Sequence, residues 1–92
     1  IISATAIIDN SEIIEPCFIG EDAVIKNAKI GPHVAVGKNT VISNSIISKT
    51  IIQNESSILD AKLINSMIGN KVNFNGNNIQ QEVSIGDFSE VK

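Results

Sequence analysis

One histidine, one cysteine and ten carboxylates are the residues of this 92-residue chain whose types could support general-base, nucleophilic or cation chemistry. His33 could act as a general base if a substrate proton came within hydrogen-bond reach. It lies in IGPHVA and is the only histidine, so a decorated corner is the simpler reading. A three-histidine zinc site is excluded by that count. Cys17 would need thiolate character and access to be a nucleophile. Its spacing puts it among small inward-facing residues, where packing is the simpler role. A lone cysteine forms no internal disulfide, which points to a reducing compartment and an expected cytoplasmic location. Asp9, Glu15, Asp22, Asp60 and Asp87 fall on different turns and corners of the repeat described next, so they are expected as solvated surface. No catalytic set, metal site or cofactor is therefore expected in this segment.

The elements that would position these residues are set by a repeat. Aliphatic residues recur every five or six positions: Ile2, Ile8, Ile13, Ile19, Ile25, Ile30, Val36, Ile42, Ile47, Ile52, Ile58, Leu63 and Ile68, then Phe74. The frame extends through Ile79, Ile85 and Val91. Two places before each is a small residue, from Ala6, Ser11, Cys17 and Ala23 through Thr40, Ser45 and Ser56 to Val72. Residues two apart share a strand face, so a large and a small side chain enter the core together. Alternating sizes lets stacked layers fill a narrow tube. The five-residue units lose their residue at a corner, because a slip within a strand would turn its inward set outward. Gly20, Gly31, Gly37, Gly69 and Gly86 follow marked aliphatics where the chain turns, and Asn or Asp recur at the same corners.

Three units make one coil, so that Ile8, Ile25, Ile42, Ile58 and Phe74 stack at spacings of 17, 17, 16 and 16. The expected fold is all-β: a single-stranded parallel β-helix, a triangular prism of about five turns spanning residues 1–92. Residues 73–84, with Asn77 in a small-residue slot, are expected to form a loop or a distorted last turn. The chain opens at Ile1 already inside the repeat, which predicts a segment of a longer protein.

The residue before each marked aliphatic points outward. One outer column reads Phe18, Ala35, Ile51, Met67; a second reads Ile7, Val24, Val41, Ser57; a third reads Glu12, Lys29, Ile46, Lys62. Two sides of the prism are thus expected as apolar contact surfaces. A net charge of −3 offers no basic patch for nucleic acid, and no apolar run has the length of a membrane span. Neither partner is expected.

IGEDAV, IGPHVA, VGKNTV and IGNKVN resemble the hexapeptide signature of left-handed β-helix proteins. The left hand is implied by that resemblance. The mixed five- and six-residue units, the NS or NA after an Ile, the runs FIGEDAVIKN and IGPHVAVG, and the closing IGDFSEV are similar to the carboxy-terminal domain of sugar-1-phosphate nucleotidylyltransferases. The archaeal-type glucose-1-phosphate thymidylyltransferases are most alike. The resemblance implies a structural and oligomerising role, with a regulatory one as a further expectation, beside the chain's own amino-terminal nucleotidyltransferase domain, in a homo-oligomer. In such a parent, a sugar 1-phosphate attacks the α-phosphate of a nucleoside triphosphate with Mg²⁺ in the catalytic domain. The Gly-rich nucleotide loop of that domain, with its Arg and Lys, has no counterpart in these residues. Acyltransferases with this fold imply an alternative: acetyl-CoA between prisms, with His33 as base. They often carry a long loop, and no insertion interrupts the repeats before residue 73. A pure scaffold is the third possibility.

Overall fold

A computed structural model describes residues 2–91. The chain coils through sixteen short strands that form three parallel sheets. The first sheet contains β1 (Ile7–Asp9), β4 (Val24–Lys26), β7 (Val41–Ser43), β10 (Ser57–Leu59), β13 (Asn73–Asn75) and β16 (Glu90–Val91). The second contains β2 (Glu12–Ile13), β5 (Lys29–Ile30), β8 (Ile46–Ser48), β11 (Lys62–Ile64) and β14 (Gln80–Gln81). The third contains β3 (Cys17–Ile19), β6 (Val34–Val36), β9 (Ile51–Ile52), β12 (Met67–Ile68) and β15 (Ser84–Ile85). Each strand pairs with the one three places along the chain. The sheets are the sides of a single-stranded, left-handed parallel β-helix of about five turns.

The expected stack is observed. Ile8, Ile25, Ile42, Ile58 and Phe74 pair in register along the first sheet. Ile13, Ile30, Ile47 and Leu63 do so on the second, and Ile19, Val36, Ile52 and Ile68 on the third. The middle turns bury these residues completely, whereas Ile8 and Ile13 at one end and Ile85 and Val91 at the other are half-buried. The small column is buried from Cys17 to Val72. Its hydroxyls find partners: Ser45 Oγ donates to the Ser43 carbonyl (2.8 Å) and accepts from the Ala61 amide one turn on (3.1 Å). No buried side-chain nitrogen or oxygen among the described residues lacks a hydrogen-bond partner. Ser and Thr thus fit the small slot because they bond to nearby corner and interturn backbone groups.

The corners divide two tasks. The residue immediately before most of the small inward residues has a left-handed backbone, as at Asn10, Asp22, Asn27, Asn39, Asn44, Asp60 and Asn65 (φ 50–57°). The glycines do something else. Only Gly31 has positive φ (110°). A Cβ at Gly20 would lie 2.8 Å from the Lys38 amide nitrogen, and at Gly69 2.7 Å from that of Asp87. These glycines admit the next layer's backbone rather than a special dihedral.

The last turn corrects the repeat frame. Register places Gln81, not Ile79, above Leu63. Ile79 is 61 % exposed. Gly76 is buried against Ala61, where a Cβ would approach the Ala61 Cα to 2.6 Å, while Asn77 is exposed. Residues 73–84 therefore contain β13 and β14 in register with the turn before. Their irregularity lies in unit length: Phe74 to Gln81 is seven residues and Gln81 to Ile85 is four. The long unit accommodates two successive left-handed residues, Asn77 and Asn78.

Candidate contact face

The parallel register brings Phe18, Ala35, Ile51, Met67 and Ser84 into one line on the outside of the third sheet. Phe18, Ile51 and Met67 are each about half exposed (52, 47 and 49 %). Ala35 lies lower and is half-buried. This sheet's central column carries no charge along its whole length. The first sheet's column runs Ile7, Val24, Val41, Ser57, Asn73 and Glu90. Ile7 and Val41 are exposed there, Val24 is half-buried, and a carboxylate ends the line. The second sheet's column runs Glu12, Lys29, Ile46, Lys62 and Gln80, with Ile46 exposed between two lysines. Depletion of charge at an apolar centre distinguishes contact surfaces from ordinary outer strand faces.

His33 stands at the edge of the third sheet. It has a left-handed backbone (φ 62°), its amide donates to the Pro16 carbonyl (2.7 Å), and its side chain is exposed. An open hollow beside it is lined by Pro16, Phe18, Ala35 and Ile51. The apolar column and the only histidine are thereby neighbours. Cys17 points into the core beneath this face. Burial pushes its thiol above the ordinary range, and its Sγ donates to the Ile14 carbonyl (2.7 Å). A protonated, buried thiol is a packing group rather than a nucleophile. No group of three His, Cys, Asp or Glu able to hold a metal occurs among the described residues. Among them, no helix is long and apolar enough to cross a membrane.

Two side-chain arrangements were not anticipated from the sequence. At the corner between the third and first sheets, amides bond upward from turn to turn. The Lys38 amide donates to Asn54 Oδ1 (3.0 Å), the Asn54 amide to Asn70 Oδ1 (2.9 Å), and the Asn70 amide to Asp87 Oδ1 (2.8 Å). This ladder explains why Gly37 and Gly69 have no side chain: a Cβ there would strike the Asn54 and Asp87 carboxamide and carboxylate oxygens. The spacing of 16 or 17 between these polar residues was the available signal. The other arrangement is Phe88, 73 % exposed with φ 63°, in the corner position that Asp22, Asn39, Glu55 and Lys71 hold in earlier turns. The Lys71 ammonium lies 5.6 Å from its ring centroid and 4.0 Å from a Glu55 carboxylate oxygen.

Comparison of the chain with protein-family models and with curated proteins finds no match. The fold defines a class by architecture, a parallel β-helix with one uncharged outer column.

Proposed function

We propose that this chain is a structural, subunit-associating β-helix of a sugar-1-phosphate nucleotidyltransferase, and that nucleotidyl transfer takes place in another part of the parent protein. The uncharged column Phe18, Ala35, Ile51 and Met67 carries the association half of this reading. Such a face on a stiff prism loses little conformational freedom when it is covered. The resemblance of FIGEDAVIKN, IGPHVAVG and IGDFSEV to the carboxy-terminal domain of thymidylyltransferases supports the enzyme half. In that parent, Mg²⁺ and the nucleotide belong to the catalytic domain. The carboxylates of this segment are dispersed around the prism and form no such site among the described residues.

Sedimentation velocity tests association. Replacing Phe18, Ile51 and Met67 together with Ser should convert an associating 92-residue chain into a monomer with an unchanged circular dichroism spectrum. An unchanged sedimentation profile would sink the association reading. The enzyme half is checked by assaying the complete reading frame for diphosphate release from dTTP and glucose 1-phosphate. Acetyl-CoA turnover by the 92-residue chain, abolished by His33→Ala, would replace the nucleotidyltransferase reading with the acyltransferase one. The hollow shared by His33, Phe18 and Ile51 is the observation that favours that alternative.

A further inference from the structure

The outer column of the third sheet has a size order that is complementary to its own reverse at its four outer layers. By layer it is large, small, large, large, small: Phe18, Ala35, Ile51, Met67, Ser84. Reversing the column sets Phe18 against Ser84 and Met67 against Ala35, and leaves Ile51 facing itself. The small side chains of Ala35 and Ser84 leave room on this face for the large side chains of a reversed copy.

We propose that two copies of this chain pair through their third sheets with helix axes antiparallel, on a two-fold axis through Ile51. The inference rests on the association reading above and adds its geometry. A two-fold contact uses the same patch on both copies, so the patch must be complementary to itself. Here that requirement is met by side-chain volume at the four outer layers, on either side of the Ile51 pair. A pairing with axes in the same direction would set Phe18 on Phe18 and Met67 on Met67, leaving the Ala35 and Ser84 layers unfilled, and unfilled layers lose their packing contacts. The uncharged column supplies the apolar centre, and the occupant is a second copy because the fit is to the column itself. Molecular extents of 30 × 22 Å limit one face to roughly 650 Å², so the pair buries at most about 1,300 Å² in total, at the low end of specific interfaces. A contact this small depends on the fit of its few large side chains.

The rim charges oppose this pairing. Lys49 lies at one edge of the third sheet at the level of Ile51, and Glu55 at the other. Antiparallel pairing brings like edges together, Lys49 near Lys49 and Glu55 near Glu55. Screening by NaCl therefore tightens it.

Sedimentation equilibrium on the 92-residue chain reads both. Ala35→Met should raise the dimer dissociation constant at least about tenfold, because two methionines then collide at each end of the contact. Adding Met67→Ala should restore it, since large again meets small. Restoration, together with tighter pairing in NaCl, is the expected result. A dimer that Ala35→Met leaves intact, or that Met67→Ala fails to rescue while circular dichroism shows a folded chain, overturns the antiparallel geometry and leaves the association reading standing. A trimer, or weakening by NaCl, does the same. A chain that is monomeric at every concentration overturns both.

Discussion

Ser56 is 2 % exposed, yet both roles of its hydroxyl are filled: it donates to the Gly69 carbonyl (2.7 Å) and accepts from the Val72 amide (3.2 Å). An alanine would fit the same space and leave two buried backbone groups without that partner. Ser56→Ala should therefore destabilise the chain by about 1–3 kcal/mol, more than the deletion of one oxygen from an apolar core would suggest. Urea unfolding should show a lower midpoint with an unchanged slope. The control is Ser57→Ala, the outward-facing neighbour, with an effect within about 0.5 kcal/mol. That Ser56 faces inward was legible from its place two residues before Ile58. Its bonding partners were not, because they lie 13 and 16 residues away and depend on how turns stack.

At the scale of the element, the glycines after the inward aliphatics look alike in sequence and differ in the fold. A Cβ at Gly37 would stand 2.6 Å from the Gln53 carbonyl carbon and 2.7 Å from the Asn54 nitrogen, both backbone atoms of the next turn. Gly86, in the last turn, has open space at the same place. Gly37→Ala should cost roughly 1–3 kcal/mol by forcing adjacent layers apart. Gly86→Ala should be neutral or stabilising by up to about 1 kcal/mol, through reduced freedom of the unfolded chain. Thermal melts of the two variants check the contrast; equal shifts would contradict it. The sequence marks these positions as corners. Whether a corner glycine is required depends on the layer above it.

On the scale of the whole molecule, each turn touches only its neighbours, so stability is close to a sum of turns and the contacts between them. The central turn through Ile42, Ile47 and Ile52 has buried neighbours on both sides. The end turns hold half-buried core residues, Ile8 and Ile13 at one end and Ile85 and Val91 at the other. Amide hydrogen exchange should be slowest for the amides of residues 41–58 and should quicken stepwise toward each end. Uniform protection from Ile8 to Val91 would show a single cooperative unit instead.

By itself the sequence determined the all-β class, the inward columns as far as Phe74 and the three outer columns. It could do so because strand residues two apart share a face and a narrow core rejects charged and bulky exceptions. The tertiary structure alone decided the last turn, where Gly76 rather than Asn77 fills the slot over Ala61 and Gln81 rather than Ile79 faces in. A slot there is defined by the layer beneath it, and local hydrophobicity favoured the wrong residue. The structure also added Ser84 to the column of Phe18, Ala35, Ile51 and Met67 and made it a straight line. Their steps of 17, 16, 16 and 17 residues become a straight column only once the backbone hydrogen bonds between turns absorb the unequal lengths at the corners.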